Sequence, residues 1–204
     1  IHSWIASLAM MFAVRGMISI VAHASVPVEH EILRFASLKF LKGFLGVKAG
    51  ISILVPILFA LTFLCMYIGR CTKYGMGLYA VGGNEKATKL SGIDTRKVYF
   101  FAYTNMGFLA ALAGILTIAR MASAQPTYGD SYEMDAISSC FIGGASAYGG
   151  IGTVPGVIIG AVLMGVINLG MSIMGIDQNY QKVVKGAVLL AAVIFDVMSK
   201  KNDY

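Results

Sequence analysis

Long apolar runs separated by short polar segments organise this chain. About 20 apolar residues at a rise of 1.5 Å each cross a hydrocarbon core roughly 30 Å thick. On that measure the runs predict membrane spans over 4–22, 51–69, 98–119, 154–174 and 183–198. The first is interrupted by Arg15 and Gly16, and the second contains Pro56, which a membrane helix absorbs as a kink. The stretch 136–152, AISSCFIGGASAYGGIG, is apolar but short, and glycines crowd its second half, so a regular helix does not continue through it. Residues 29–45 (EHEILRFASLKFLKGFL) mix charge with Phe and Leu, which suits a helix lying at the membrane interface. The fold class expected is therefore all-α: a single polytopic transmembrane helical bundle over 1–204 with one broken, Gly-rich helix at 136–152.

Composition agrees with a membrane solvent. The 204 residues are 57% hydrophobic and only 13% charged, with a mean hydropathy of +0.75, and a soluble domain of that size carries about twice the charged share. The 24 glycines suit close helix approach in lipid. The net charge of +6 does not point to nucleic acid, because the 16 basic residues are scattered through connecting segments and form no stripe. The three cysteines, Cys65, Cys71 and Cys140, have no metal-type spacing and read as small hydrophobes. The chain opens at Ile1, already inside an apolar run and without Met, as expected of a fragment truncated at its N-terminus.

Basic residues set the orientation. Segment 70–97 holds Arg70, Lys73, Lys86, Lys89, Arg96 and Lys97, and the tail holds Lys200 and Lys201, so both belong on the cytoplasmic side. Segment 121–135 lacks Lys and Arg but carries Asp130, Glu133 and Asp135, which places it outside. From an outside loop at 135 to an inside tail requires an odd number of crossings, so the Gly-rich stretch must act as the third, its loop reaching toward the cytoplasmic side. The basic residues Arg34, Lys39, Lys42 and Lys48, on a loop that this scheme puts outside, are accounted for by the interfacial helix.

Within 70–97, residues 82–93 read as a Gly82-Gly83 turn, a short helix opened by Asn84 as N-cap, and a stop at Gly92. Such a segment is either a solvated connector or a docking element with Glu85 and Lys86 on its exposed side. Outside, Ser123 to Thr127 together with Tyr132, Glu133 and Asp135 read as a contact for a partner protein, as a turn leading into a helix capped by Asp130 or Ser131, or as both. Polar groups in apolar segments, Asn105, Ser138, Ser139, Ser146, Tyr148, Asn168 and Ser172, either line a translocation pathway or bond a neighbouring helix. Gly152, Gly156 and Gly160 form a small face for helix packing or for a dimer contact. Lys185 snorkels outward and Asp196 reaches the inner surface. No catalytic constellation and no GxxxxGK[ST] phosphate loop is present in the sequence.

The segment YAVGGNEKATKLSGI resembles the cytoplasmic coupling segment of permeases in the ribose, xylose and multiple-monosaccharide ABC importers, most nearly the multiple-monosaccharide subgroup. The resemblance continues through SAQPTYGDSYEMDAISSCFIGGASAYGGIGTVPGVIIGA, MGVINLGMSIMG and VKGAVLLAAVIFDV. It implies a non-catalytic permease subunit of a prokaryotic plasma (inner) membrane, multi-pass with a cytoplasmic C-terminus. The expected cargo is a monosaccharide such as xylose, arabinose, galactose, glucose or ribose. The implied partners are a second permease copy, an extracytoplasmic sugar-binding protein and a cytoplasmic ABC ATPase that holds ATP and Mg, with no cofactor on this chain and no nucleic acid. The ATPase contact is carried over to Gly82, Gly83, Asn84, Glu85, Ala87, Ser91 and Gly92, and the binding-protein contact to Ser123, Gln125, Tyr132, Glu133 and Asp135. The alternative class is an ion-coupled secondary transporter, which needs an ionisable residue deep in a span; only Arg15, Lys185 and Asp196 come near.

Overall fold

The computed structural model describes residues 3–21, 25–27, 53–146 and 149–201. The interfacial helix expected over 29–45, and Tyr148, lie outside the described residues. Among those described, eight helices and one two-residue strand pair are present: α1 (Ser3–Val21), β1 (Val26–Pro27), α2 (Leu54–Cys71), α3 (Lys73–Gly83), α4 (Glu85–Leu90), α5 (Thr95–Met121), β2 (Ser123–Ala124), α6 (Tyr132–Ile142), α7 (Val154–Ile173) and α8 (Gln178–Lys201). By length and composition α2, α5 and α7 are able to cross a membrane. The fold is thus all-α, a polytopic helical membrane protein. Its described core is small. Val81, Ala119, Met164 and Met171 are its buried hydrophobics, whereas Phe12, Phe63 and Phe195 stand 66%, 62% and 77% exposed. Lipid is the solvent that accepts such side chains.

The chain divides into two compact units, one of 1–57 with 109–130 and one of 58–108 with 131–204. In the first, α1 runs unbroken through Arg15 and Gly16, where the sequence suggests an interruption. The charge is accommodated by pairing: Arg15 Nη1 donates to Asp130 Oδ1 at 3.0 Å and Nη2 to the Gly129 carbonyl at 3.2 Å. Nearby, β1 and β2 pair antiparallel, with Val26 opposite Ala124 and Pro27 opposite Ser123.

In the second unit, α2 continues to Cys71 and is followed at once by α3, a helix not expected from a segment so rich in glycine. Thr72 makes the corner. Its hydroxyl donates to the Ile68 carbonyl at 2.6 Å and accepts from Gly75 N at 3.2 Å, while a Cβ on Gly75 would collide with the Gly69 carbonyl. The glycines that lower helix propensity here are what permit the close fold-back.

Helices α6, α7 and α8 pack as a trio, with α6 against both others. Helix α6 begins at Tyr132 behind Ser131, one of the two residues read as its cap and ahead of the apolar stretch that opens at 136, and stops at Ile142. It ends in a Schellman arrangement: Ala145 N bonds the Cys140 carbonyl at 2.9 Å and Gly144 N the Phe141 carbonyl at 3.0 Å, with Gly144 at φ +82. Helix α7 restarts after Thr153, whose side chain accepts from Gly156 N. Side chains on Gly143 or Gly156 would drive into each other's backbone, and one on Gly160 into the Ser139 carbonyl. The Gly156 and Gly160 face is therefore occupied by α6, which resolves the choice between internal packing and a dimer contact for these two residues in favour of packing.

Candidate functional site

The first site is the segment joining α3 to α4. Asn84 serves both helices: its N–H bonds the Ala80 carbonyl at 3.0 Å, closing α3, and its side chain accepts from Ala87 N at 3.0 Å, opening α4. The far end of α4 closes in a second Schellman arrangement, Ile93 N to the Thr88 carbonyl at 3.3 Å and Gly92 N to the Lys89 carbonyl at 3.2 Å, with Gly92 at φ +83. Ser91 Oγ donates back to the Ala87 carbonyl at 3.0 Å. Helix α4 is only six residues long, far below the length at which an isolated helix is stable in water. Its caps and the burial of Thr88 hold it.

This short helix presents Glu85, Lys86, Ala87, Lys89 and Leu90 to its surroundings. Leu90 is 89% exposed, an apolar side chain projecting from an otherwise polar helix. Its signal in the sequence is the lone Leu that ends EKATKL. Glu85 is not free: the Tyr99 hydroxyl on α5 donates to its Oε2 at 3.2 Å. On α3, Tyr74 packs edge-on to Phe101 at 6.0 Å, and burial raises its phenol above the ordinary value.

The second site lies among α6, α7 and α8. Lys185 Nζ donates to Asp135 Oδ2 at 2.8 Å, and Asn168 Nδ2 reaches the same oxygen at 3.3 Å. The Lys185 and Asp135 side chains are only 13% and 23% exposed. Ser138, one turn along α6, is fully buried. Asp135 Oδ1, Asn168 Oδ1 and Ser138 Oγ are buried without a protein hydrogen-bond partner. The structure thus gathers two residues expected along a pathway, Ser138 and Asn168, with one expected to face a partner, Asp135. Lys185 joins them instead of snorkelling outward, because an opposite charge within reach stabilises the ammonium more than a longer path to the interface does.

The other expected site residues are dispersed. Ser139 Oγ donates to the Asp135 carbonyl at 2.6 Å and Ser172 Oγ to the Asn168 carbonyl at 2.9 Å, each bonding its own helix. Asn105 is exposed on α5, and Ser146 sits in the glycine loop, its N–H bonded to the Ile151 carbonyl at 3.1 Å. Of the segment expected to meet a partner, Ser123 bonds the Tyr128 hydroxyl at 2.9 Å, while Gln125 and Tyr132 are exposed and Glu133 is half-buried. Ser131 stands at the N-cap of α6 in a left-handed conformation and makes no side-chain cap bond.

Apolar helices exposed along their length, a broken helix closed by glycines and a largely buried Lys185–Asp135 pair define a multi-pass helical membrane protein. The chain belongs to the family described as branched-chain amino acid transport system / permease component, whose model matches residues 1–193. It is 39% identical over 198 residues to the ribose import permease protein RbsC of Escherichia coli (strain K12), covering 96% of this chain and 60% of that protein. It is 38% identical over 194 residues to RbsC of Bacillus subtilis (strain 168), covering 95% and 59%. It is 41% identical over 153 residues to the xylose transport system permease protein XylH of Haemophilus influenzae (strain ATCC 51907 / DSM 11121 / KW20 / Rd), covering 75% and 41%. The chain therefore spans about 60% of the length of the ribose permeases it matches. No solved structure matches it significantly. Membership in a permease family agrees with the resemblance carried by GGNEKATKLSG, and with a transport component rather than an enzyme.

Proposed function

We propose that this chain is the larger part of a permease subunit that imports a monosaccharide across a prokaryotic inner membrane, driven by a separate ATPase docked on α3 and α4. The observation that carries the docking role is the doubly capped α4, held in fixed geometry while displaying Lys86, Ala87 and Leu90 to the outside. A solvated connector needs neither caps at both ends nor an apolar side chain thrust outward. A cytoplasmic ATPase surface with an apolar socket for Leu90 and an acidic rim for Lys86 and Lys89 suits this display. Gly82, Gly83, Asn84, Glu85, Ala87, Ser91 and Gly92 belong to the same contact, Asn84 and Gly92 by shaping it. ATP and Mg bind to the partner ATPase.

Further parts of the proposal are a second permease copy, a cytoplasmic C-terminus and an extracytoplasmic binding protein that meets Gln125, Tyr132 and Glu133. Asp135 is withdrawn from that contact, since its carboxylate is engaged by Lys185 and Asn168. Ribose or xylose is the proposed cargo, supported by the names of the relatives. The narrower multiple-monosaccharide assignment and the other sugars are a matter for transport assay.

The test is to copurify the full-length subunit with its ATPase and binding protein and to measure sugar uptake. Glu85→Lys, Ala87→Trp and Leu90→Asp should each cut recovery of the ATPase by about tenfold or more, the loss of one hot-spot contact. Unchanged assembly and uptake in all three would sink the docking role. Uptake that survives without ATP but collapses with the ion gradient would replace the ATPase with the ion-coupled alternative.

A further inference from the structure

In the second unit the end of α3 meets the glycine loop backbone to backbone. A Cβ on Gly82 would stand 2.6 Å from Gly150 N, one on Gly149 2.6 Å from the Gly82 carbonyl oxygen, and one on Gly150 2.7 Å from Gly83 Cα. No side chain fits between the two segments at these three positions. Both loop glycines also have positive φ, +88 at Gly149 and +73 at Gly150. A fastening lies next to the contact, where the Tyr79 hydroxyl, one turn before Gly82 on α3, donates to the Gly152 carbonyl at 2.9 Å. The loop is closed on itself by Ser146 N to the Ile151 carbonyl and Gly149 N to the Ser146 carbonyl, each 3.1 Å. Gly152 leads directly into Thr153, the N-cap of α7.

We propose that this glycine-on-glycine contact, fastened by Tyr79, is the junction that passes movement of the α3–α4 segment to the glycine loop and the start of α7. The inference rests on the docking role given above to α4. Asn84 closes α3 and opens α4, so the two helices meet at a single doubly bonded residue and a push on α4 displaces α3. Where side chains separate two elements, rotamer changes absorb part of a small displacement. Where backbones touch, packing density leaves nothing to yield, and the displacement is passed on. Beside the junction lies an open apolar groove lined by Leu58, Leu61, Leu78, Tyr79, Ile151 and Val157 among others. It gives the loop and α7 somewhere to move.

The experiment uses the full-length subunit, assembled with its ATPase and binding protein in proteoliposomes, with radiolabelled ribose and xylose as probes. Sugar moved per ATP hydrolysed is the readout, because a merely structural role would lower both together. Gly150→Ala and Gly149→Ala should retain the ATPase and its hydrolysis while the ratio falls by about tenfold, within the usual range of coupling between sites. Tyr79→Phe, which removes one hydrogen bond and no volume, should lower the ratio between about twofold and tenfold. Gly165→Ala, at an α7 glycine with open space around it, should match the parent. A parent-like ratio in the assembled Gly150→Ala and Tyr79→Phe variants overturns the junction. If Gly150→Ala does not assemble, Tyr79→Phe decides alone: a lowered ratio sustains the proposal and an unchanged one ends it. Tyr79→Phe adds no atom against Gly82, Gly83 or α4, so loss of the docking role would register separately from it, through the Glu85, Ala87 and Leu90 variants.

Discussion

A carboxylate and an ammonium taken out of water cost several kcal/mol each unless they meet in good geometry, and Asp135 on α6 and Lys185 on α8 meet at 2.8 Å. Removing one partner leaves the other stranded, which costs about 3–5 kcal/mol for a buried pair; the 13% and 23% exposure of these side chains puts the cost toward the lower end. Asp135→Leu and Lys185→Met should each lower the thermal midpoint of the detergent-solubilised protein markedly. The double variant Asp135→Leu with Lys185→Met should recover most of the loss, since apolar replacement of an ion pair is often neutral or better. Additive losses in the double variant would show that the two side chains act separately. The pair was not legible in the sequence. Its members are 50 positions apart, and whether a lysine near a helix start turns outward or inward depends on the rotation of α8 against α6, which no local pattern encodes. The sequence points Lys185 to the interface and Asp135 to a partner protein, so nothing local brings the two together.

Short elements are decided by their ends. Asn84 and Gly92 mark the bounds of α4 in sequence as in structure, because side-chain capping and a left-handed stop are local chemistry. Gly143 and Gly144 likewise announce the end of α6, and Ser131, one of the two residues the sequence offers as its cap, stands at the N-cap although its side chain makes no cap bond. Helix α3 is not legible in the sequence, because tertiary contact at Gly75 and Gly82 overrides weak local propensity. Asn84→Ala should cost about 1 kcal/mol, the usual value of an N-cap, and with α4 this short the loss should appear as faster amide exchange in α4, with the exchange of α7 unchanged. At the α6–α7 crossing, Gly160→Val forces a side chain against the Ser139 carbonyl and should cost about 1–3 kcal/mol by overpacking. Equal thermal midpoints for parent and Gly160→Val would mean that the helices do not cross there.

Across the whole molecule the number of membrane crossings links these details to orientation. Helix α6 has 11 residues, about 16 Å at 1.5 Å each, roughly half of a hydrocarbon core about 30 Å thick. Alone it does not cross. The loop that follows packs against Gly82 and Gly83 in the Lys- and Arg-rich segment 70–97, irregular backbone that a membrane tolerates where it packs against protein, and we propose that helix and loop together make one crossing. With that broken segment, α7 and α8 each proposed to cross, three crossings lie between 135 and the tail, although of these described elements α7 alone is long and apolar enough by itself. The C-terminus and Lys86 should then share one side and Gln125 should face the other. With Cys65, Cys71 and Cys140 replaced, a membrane-impermeant maleimide applied to intact spheroplasts should label Gln125→Cys at once and Lys86→Cys only after lysis. A C-terminal epitope should likewise be reached only after lysis. Finding the epitope on the Gln125 side would reduce α6 and its loop to a segment that returns to the face it left, and the glycine contact would then have to be reached from that same face.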